Sequence, residues 1–393
     1  MRNNERAIVW WVLVFLLGYG EAYAHDGVHS STDLSFDQQE GIPLVTSNWG
    51  FFQHSSNSWQ WVCPEAIETL DLYRLAGDGQ GWWIGTLDGL WFTADQCEFS
   101  ILHFAGEYVR EVQVFGQQIW VATATGFLDN ALWYSSDGGE HFDQMASFGA
   151  GSRIFGMHVW ENRVWTLTER DDVFSMWVPQ REYFWTELRI PEDMDGWIDL
   201  LHVDSEENIW IASTGERMVL WQSTARGTWV ERVETPGRIL VLEQIEDWII
   251  VGGDWGFVVS SDLGETWSDP IERPEVACAE VYQDELYICS HNWLDGAAVL
   301  KTTAQGDPTD WTWTPVFSFS EVTSVKECPL SSRTHQACDP LWEAGLLNAG
   351  FSEPQMPAPV AEPDCSGCEH SSSTSILLFG GVWIFFPLAR RQN

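Results

Sequence analysis

Short runs of alternating hydrophobic and polar residues recur through the middle of the chain, and polar turns separate them. The stretches "EVQVFGQQIWVAT" (111–123) and "LLHVDSEENIWIAS" (200–213) each contain two such runs around a turn. Alternation with a period of two, with turn residues at short intervals, is typical of antiparallel β-strands. Helical periodicity is almost absent between residues 40 and 350, so the pattern predicts an all-β domain over 40–350.

One of these strands recurs seven times with the same design. Each copy begins with an aromatic or aliphatic residue, continues with small or apolar residues and ends in a polar loop. The copies are "LVTSNWG" (44–50), "WIGTLDG" (83–89), "WVATATG" (120–126), "WTLTERD" (165–171), "WIASTGE" (210–216), "IVGGDWG" (250–256) and "YICSHNW" (287–293). Successive copies are 37 to 45 residues apart, and further strands precede and follow each of them.

Four-strand units that repeat about every forty residues are typical of β-propeller blades. A β-helix would need a shorter repeat, and a stack of sandwiches would not repeat so regularly. The sequence therefore predicts a seven-bladed β-propeller of four-stranded antiparallel blades.

The two ends of the repeat array predict how the ring closes. The first copy, at Leu44, has no preceding strand of its own, whereas the last copy is followed by a surplus strand around Ser318 to Cys328. A propeller leaves no open sheet edge if its C-terminal strand completes its first blade. We therefore predict that strands from both ends of the chain close the ring.

Two polar turns, "SSDGGEHF" (135–142) and "SSDLGETW" (260–267), share a pattern between the predicted third and fourth strands of a blade. In such a turn the Asp accepts hydrogen bonds from turn amides and the Gly supplies a positive φ. The Ser bonds to the backbone, and the aromatic ring is buried between strands. These roles fall on Ser135, Asp137, Gly139 and Phe142 in one turn and on Ser260, Asp262, Gly264 and Trp267 in the other.

The pattern of these turns resembles the Asp-box, or BNR, repeat of sialidases, sortilin-like receptors, photosystem II assembly factors and several secreted glycosidases. The resemblance implies that the turns are structural and lie on the face of the propeller away from the active site. We predict no catalytic role for Asp262, because one carboxylate without a partner does not provide acid–base chemistry.

Ligand sites in propellers usually lie near the central channel on the opposite face, in loops after the second strand and between blades. Here those loops contain aromatic residues beside isolated charges, a combination that can bind a sugar or a peptide. The candidate ligand-binding residues are Trp49, Asp88, Arg170, Arg217, Asp254, Trp255, His291 and Trp293. Packing within the blade is the alternative role for Trp49 and Trp255.

Eight cysteines in an exported chain indicate disulfides. Cys278 and Cys289 lie symmetrically about Gln283-Asp284, where a two-residue hairpin loop would place them on opposite positions of adjacent strands. We further predict that Cys328 pairs with Cys338 across a short loop, which leaves Cys63 to pair with Cys97. Spacing alone does not fix this connectivity.

The beginning of the chain has the layout of a secretory signal. Two arginines precede an apolar run over 7–17, and "AYA" (22–24) supplies the small residues of a cleavage site. The sequence predicts a signal peptide over 1–24 and a flexible mature N-terminus over 25–39.

The end of the chain predicts a Pro/Ser-rich tether over 351–375 and a hydrophobic sorting or anchor segment over 376–393. Cys365 and Cys368 precede the apolar run, and an Arg pair follows it. This layout resembles the MYXO-CTERM tail of myxobacteria. The resemblance implies that the tail is removed and that Cys365 or Cys368 attaches the protein to the cell surface. A plain C-terminal membrane anchor is the alternative.

Charge narrows the range of partners. The chain has 19 Lys and Arg against 58 Asp and Glu, a formal net charge of −39. A surface this acidic repels nucleic acid and anionic lipid headgroups, because phosphate binding needs clustered Lys and Arg. We expect no nucleic-acid partner and contact with a membrane only through the C-terminal tail. Solubility accounts for the charge, and attraction for cations or basic partners is the alternative.

The chain has no Gly-x-Ser-x-Gly, His-Glu-x-x-His or phosphate-loop motif. Its acidic stretch "PEDMDGWID" (191–199) lacks the spacing of an EF-hand, so no metal site or cofactor is predicted. We therefore predict an exported, monomeric, non-catalytic binding module for a glycan or protein ligand at the cell surface, in the outer membrane or outside the cell. One alternative is a secreted sialidase-like glycoside hydrolase with two carboxylates on the loop-rich face. The other is an envelope assembly or stability factor resembling those of photosystem II.

Overall fold

The strands form seven small antiparallel sheets in chain order, which confirms the predicted seven-bladed β-propeller. The computed structural model describes residues 31–343 except 37–42, 48, 56–57, 68–73, 78–79, 125–128, 161–162, 171–172, 182–183, 191–193, 195 and 224–227. The predicted signal peptide, tether and C-terminal segment lie outside the described residues, as do Cys365 and Cys368. Among the described residues, no helix has the length and apolar character that a membrane crossing requires.

The first three blades follow one another along the chain. Blade 1 contains β1 (Ser31–Phe36), β2 (Pro43–Ser47), β3 (Gly50–Ser55) and β4 (Ser58–Val62). Blade 2 contains β5 (Arg74–Gly77), β6 (Trp82–Thr86), β7 (Gly89–Thr93) and β8 (Ser100–His103). Blade 3 contains β9 (Tyr108–Phe115), β10 (Gln118–Ala124), β11 (Asp129–Ser135) and β12 (Asp143–Ala150).

The remaining four blades continue in the same order. Blade 4 contains β13 (Ser152–Trp160), β14 (Arg163–Arg170), β15 (Val173–Arg181) and β16 (Phe184–Arg189). Blade 5 contains β17 (Trp197–Val203), β18 (Ile209–Thr214), β19 (Met218–Ser223) and β20 (Trp229–Thr235). Blade 6 contains β21 (Val241–Ile245), β22 (Trp248–Gly253) and β23 (Gly256–Ser260). Blade 7 contains β24 (Cys278–Tyr282), β25 (Glu285–Cys289), β26 (Val299–Thr302) and β27 (Thr314–Phe317).

The elements outside the blades are short. They are a last strand β28 (Val322–Val325), the helices α1 (Asn292–Asp295) and α2 (Arg333–Glu343), and 3₁₀ turns at Pro64–Ile67, Pro308–Asp310 and Phe319–Glu321.

The seven repeated copies are the second strands β2, β6, β10, β14, β18, β22 and β25. A second strand lies in the middle of its blade, so the two neighbouring blades cover both of its faces. Nearly every residue of these strands is accordingly buried. Burial on both faces explains why the copies have near-continuous apolar runs, whereas other strands alternate.

Blade 6 departs from the predicted four strands. Its sheet has three strands, and a single bridge between Phe257 and Ile271 stands where a fourth would pair. Pro270 and Pro274 flank that bridge in the sequence "SDPIERPE". Proline has no N–H group to donate, so this segment cannot sustain a hydrogen-bonded ladder.

Both ends of the chain contribute strands to blade 1, but in different positions from those predicted. Strand β28 pairs in parallel with β4, with Val325 opposite Trp61, so it forms a fifth strand at the outer edge. The inner strand is β1, which pairs with β2 and lies within the segment predicted to be flexible. The alternation of buried Leu34 and Phe36 is the pattern that identifies this strand.

Two of the predicted disulfide pairs are wrong. The bonds are Cys63–Cys338 and Cys97–Cys328, with Cα atoms 5.4 and 5.5 Å apart, in place of Cys63–Cys97 and Cys328–Cys338. The reason is that β28 and α2 lie against blades 1 and 2, which brings each late cysteine next to an early one. Thr334 of α2, for example, donates its backbone N–H to the carbonyl of Cys97 at 3.2 Å.

The third disulfide is the predicted pair Cys278–Cys289. The two residues are directly opposite each other in the β24–β25 hairpin, and their Cα atoms are 4.9 Å apart. The two-residue loop formed by Gln283 and Asp284 fixes this register, and both residues have the positive φ that such a loop requires.

Candidate functional site

The innermost strands of all seven blades enclose a central channel with a cavity of about 1040 Å³. These strands are β1, β5, β9, β13, β17, β21 and β24. Inner strands of adjacent blades are not paired in one sheet. Polar side chains of the channel wall therefore have a structural task, because they can form contacts between blades that the backbone does not.

Hydrogen bonds from glutamine side chains connect two pairs of adjacent inner strands. Gln113 of β9 donates to the Met157 carbonyl at 2.9 Å and accepts from the Val159 amide at 2.8 Å, so it bonds twice to β13. Gln244 of β21 accepts from the backbone N–H of Ser205, just beyond β17, at 3.0 Å. These bonds are positioned by alternation, which points every second side chain of an inner strand into the channel.

Carboxylates occupy the corresponding part of the wall in blades 6, 7 and 1. Burial, and then repulsion by Glu280, raises the pKa of Glu243 well above its ordinary value. Burial, and then the charge of Asp33, raises the pKa of Glu280 to about 8. Three carboxyl groups on β21, β24 and β1 are thus close enough to repel one another, so protonation of Glu280 is favoured at neutral pH.

Two histidines occupy the wall in blades 4 and 5. The rings of His158 on β13 and His202 on β17 are 4.7 Å apart between centroids, with 54° between their planes. Burial lowers the pKa of His158 to about 4, and a hydrogen bond with the backbone of Val203 only partly opposes this. Burial, and then the neighbouring His158, lowers the pKa of His202 well below its ordinary value. Both rings are therefore neutral at pH 7.

The end of the channel next to the second-to-third strand turns carries an aromatic cluster in blades 4 and 5. We call Phe155, Phe174 and Trp197 the aromatic mouth. The ring of Phe155 lies 5.3 Å from that of Phe174 and 6.2 Å from that of Trp197, between centroids. Their register places them at this end, since Phe174 pairs with Glu169 near the end of β14 and Trp197 with Thr214 at the end of β18.

Trp197 is the exposed member of the aromatic mouth, and a cation borders the cluster. Trp197 is 52% exposed, whereas Phe155 and Phe174 are half-buried against the core between blades 4 and 5. The guanidinium carbon of Arg110 lies 5.3 Å from the centre of the Phe155 ring, and its Nη2 donates to the Phe155 carbonyl at 3.1 Å. An exposed tryptophan beside a fixed arginine is a typical composition for the centre of a protein interface.

The eight predicted ligand-binding residues lie at or beside the second-to-third strand turns, spread over six blades. The corresponding turn of blade 3 (125–128) lies outside the described residues. Several of the eight have contacts that explain them without a ligand. Arg217, for example, forms ion pairs with Glu231 and with Glu234 at 2.7 Å, and both glutamates raise its pKa. His291 caps α1 by accepting a hydrogen bond from the Leu294 amide at 3.3 Å.

The packing role that was the alternative for Trp49 and Trp255 is present in the structure. The Trp49 carbonyl accepts a hydrogen bond from the Trp61 indole at 2.6 Å, and the Trp49 ring packs against the core of blades 1, 2 and 7. The Trp255 indole donates to the Arg238 carbonyl at 3.0 Å. Asp88, Arg170 and Asp254 are exposed, as is Arg217, and Trp293 is half-buried.

The turns 135–142 and 260–267 have the internal bonds that their pattern predicted. In the second turn, Asp262 Oδ1 accepts from the Thr266 amide at 2.8 Å and Ser260 Oγ accepts from the Gly264 amide at 2.7 Å. Gly264 has a φ of +90°. The Trp267 indole donates back to the Gly264 carbonyl at 3.1 Å. Hydrogen bonds from Thr266 also lower the pKa of Asp262, so this carboxylate is held ionised inside its own turn.

Each turn also packs on a tryptophan of the preceding blade. A methyl group at Gly139 would collide with the ring of Trp83, and one at Gly264 would collide with the ring of Trp210. Both tryptophans begin a repeated second strand, in blades 2 and 5. The turns therefore contribute to the contact between blades, at the opposite end of the sheet from the candidate ligand loops.

Sequence reasoning missed the channel wall and the aromatic mouth. The wall residues His202, Glu243 and Glu280 lie at polar positions of alternating inner strands, in "LLHV", "VLEQI" and "CAEVY". That alternation could have identified them once the ring was predicted, because one side of an inner strand must face the channel. The aromatic mouth combines residues of β13, β15 and β17, so no local pattern marks it.

Comparison with known proteins establishes the fold and no closer relationship. No protein-family model and no curated protein sequence matches the chain significantly. The extracellular domain of the putative one-component system BT4673 from B. thetaiotaomicron is 12% identical, with a TM-score of 0.53 over 77% of this chain and 48% of that one.

Two further solved structures are similar at the same level. YCF48 from Cyanidioschyzon merolae is 14% identical, with a TM-score of 0.50 over 66% of this chain and 92% of that one. The WD40 β-propeller domain of Doa1 is 11% identical, with a TM-score of 0.50 over 72% of this chain and 95% of that one. With identities this low the likeness extends to architecture only: the chain is a β-propeller.

Proposed function

We propose that the protein is an exported binding module that docks a protein ligand at the aromatic mouth. The single observation that carries this proposal is the exposure of Trp197 beside the ring of Phe155, where Phe155 and Arg110 line the channel. Tryptophan and arginine are the residues whose removal most often weakens a protein interface.

The chemistry of the mouth favours a protein over a glycan. A sugar site pairs an aromatic platform with polar groups that bond the hydroxyls. Here Phe155 and Phe174 pack on the apolar core between blades 4 and 5, and Arg110 already donates to the Phe155 carbonyl. A peptide side chain of apolar character fits this surface better, and an acidic residue beside it would face Arg110.

Export and surface attachment complete the proposal. The signal-like segment 1–24 supports export, and the three disulfides fit an oxidising compartment. The tail with Cys365 and Cys368 supports attachment at the cell surface. An envelope assembly factor would be a special case of the same function, because its ligand would be another envelope protein.

The test uses the full-length oxidised chain as bait in a native envelope fraction, with cross-linking before capture. We expect a protein that is captured by the wild type and is reduced at least about tenfold with Trp197→Ala, the loss typical of an interface hot spot. Leu330→Ala is the matched control, since Leu330 is 77% exposed and lies between β28 and α2, outside the mouth. Equal capture by the wild type and Trp197→Ala contradicts the proposal. If Trp197→Ala loses binding to a glycan array while its protein capture is unchanged, the ligand is a glycan.

The glycoside hydrolase remains the second candidate because of one observation. Glu243 and Glu280 are half-buried carboxyl groups of the channel wall whose pKa values are raised, which acid–base catalysis requires of one partner. They lie within the channel, away from the loop-rich face where the alternative placed its pair. Hydrolysis of an aryl glycoside that is abolished by Glu280→Gln would support this candidate, whereas unchanged background hydrolysis would count against it.

A further inference from the structure

We propose that His158 and His202 form a binding site for a divalent transition-metal ion inside the channel. The proposal is independent of the ligand proposed for the aromatic mouth, which lies at the other end of the same strands. Its basis is the placement of two imidazoles on adjacent inner strands, next to open channel space.

The register of the blades places the two side chains in equivalent positions. His158 is opposite Trp165 in the β13–β14 pair, and His202 is opposite Trp210 in the β17–β18 pair. Each of these tryptophans begins the repeated second strand of its blade. Repetition of the blade therefore directs both imidazoles to the same depth of the channel, where both line the cavity.

The distance between the rings suits two ligands of one ion. Zinc binds imidazole nitrogen at about 2.0–2.1 Å, so a tetrahedral angle at the metal would set two ring centroids about 5 Å apart. The centroids of His158 and His202 are 4.7 Å apart. Two protein ligands would leave the other positions of the ion to water or an incoming group.

One nitrogen of the pair lacks a partner. Nε2 of His158 is buried and makes no hydrogen bond to any described protein group. A buried polar atom without a partner is unfavourable, and coordination of a metal would remove that cost. The bond between His158 and the backbone of Val203 would hold the ring against β17, as bonds to the second nitrogen do in metal sites.

The chemistry of the two ligands selects the class of ion. Both residues offer imidazole nitrogen, the commonest metal ligand in proteins. Imidazole prefers zinc, copper and nickel over calcium and magnesium. The formal net charge of −39 favours entry of cations and disfavours anions.

A second group could bind the same ions and must be separated in the test. Asp137, Glu140 and His141 place one ligand atom each within 4.8 Å of one another, but all three are exposed. Asp137 is bonded to His141 at 2.8 Å within its own turn, and blade 6 has Thr266 at the corresponding position. We assign no site to this exposed cluster, and it serves here as the control.

The experiment titrates Zn²⁺ into the full-length chain at pH 7 by calorimetry, with Ca²⁺ in excess to occupy exposed carboxylates. The terminal histidines and cysteines outside the described residues are replaced in the starting protein by Cys365→Ser, Cys368→Ser, His25→Ala, His29→Ala and His370→Ala. We expect one Zn²⁺ per chain. His141→Ala should bind as the starting protein does.

His158→Gln and His202→Gln should each weaken Zn²⁺ binding at least tenfold, and Zn²⁺ should raise the melting temperature of the starting protein but not of these variants. Equal binding by the variants, loss only in His141→Ala, or no binding at all overturns the proposal. If a variant does not fold, the paramagnetic resonance spectrum of Cu²⁺ bound to the starting protein decides instead. Coupling to two imidazole nitrogens supports the site, and coupling to fewer overturns it.

Discussion

Replacement of Glu280 by Gln should make the protein more stable at alkaline pH. Glu280 lies on the channel wall between Glu243 and Asp33, and burial together with repulsion raises its pKa to about 8. Gln has nearly the same shape and no charge, so the substitution removes the repulsion and leaves the packing in place. The pKa of Glu243 should fall as well, because the charge of Glu280 is one of the causes that raise it.

The sign of the effect follows from linkage. The carboxyl group has a pKa of 4.5 in the unfolded chain and about 8 in the folded protein, so the folded state binds the proton more tightly. The contribution of Glu280 to stability is therefore fully present below pH 4.5. It falls as the pH rises above 4.5 and is lost once the pH passes about 8. The channel histidines act in the opposite pH range. Because their pKa values are lowered in the folded protein, they reduce its stability only below pH 6.5. Measurements between pH 7 and pH 9 isolate the carboxyl effect.

The magnitude can be worked out from the pKa of Glu280. A folded pKa of about 8 gives a loss of about 1.4 kcal/mol between pH 7 and pH 9. The full penalty, from pH 4.5 to complete ionisation, is at most about 5 kcal/mol. Glu280 is half-buried and faces channel solvent, so screening makes this figure an upper limit.

The assay is urea unfolding followed by tryptophan fluorescence at pH 7, 8 and 9, with the disulfides intact. The wild type should lose about 1.4 kcal/mol more than Glu280→Gln over this range, seen as a falling midpoint at constant slope. Glu246→Gln is the control, because Glu246 is an exposed glutamate just after β21. If the wild type and Glu280→Gln lose stability in parallel, the channel carboxyl is not held protonated and the reasoning fails.

Two further predictions concern stability. Gly264→Ala should destabilise the protein by about 2 kcal/mol or more, because Gly264 has a φ of +90° and a new methyl group would collide with Trp210. Gly138→Ala, at a φ of +71° with open space around it, should cost only about 1 kcal/mol, and equal losses in urea unfolding would contradict the packing argument. Joint Cys63→Ser and Cys338→Ser substitution should cost roughly 4 kcal/mol, because with Cys97–Cys328 intact this bond closes a loop made of residues 63–97 and 328–338. A change of under 1 kcal/mol in the unfolding midpoint analysis would show that the bond does not restrain the unfolded chain.

The fold could be predicted because the buried second strand of each blade has a recognisable sequence pattern. A strand covered on both faces needs a near-continuous apolar run, and seven such runs at similar spacing are readable without knowledge of contacts. Strand β1 was missed because its pattern is short, with only Leu34 and Phe36 buried in alternation. The outer position of β28 could not be predicted, because parallel pairing with β4 depends on where the ring returns in space.

The disulfides show the same limit of sequence reasoning. Cys278 and Cys289 belong to one hairpin, so turn geometry alone determines their pairing. The other four cysteines in the described part of the chain pair across 275 and 231 residues. Neighbours in sequence were the natural choice for them, and only the docking of the C-terminal segment on blades 1 and 2 shows that choice to be wrong.

The candidate site was the least predictable part, for a reason that lies in the ring itself. Loop residues such as Arg217 look available in a sequence, but their ion pairs become visible only when the neighbouring strand is in place. Phe155, Phe174 and Trp197 come together across two blades. A sequence shows which strands exist, whereas a mouth between strands depends on how the blades are arranged around the channel.

The disulfides and the hydrogen bonds of the channel wall lie in different parts of the ring. Side-chain hydrogen bonds connect the inner strands from blade 3 to blade 4 and from blade 5 to blade 6, through Gln113 and Gln244. In blades 6, 7 and 1 the wall has mutually repelling carboxyl groups instead. All three disulfides of the described residues lie in blades 7, 1 and 2 or connect them to the C-terminal segment. The disulfides therefore restrain the chain in the part of the ring where repulsion between carboxyl groups weakens the contact between inner strands. In an oxidising compartment they would stabilise ring closure as well as the single blades.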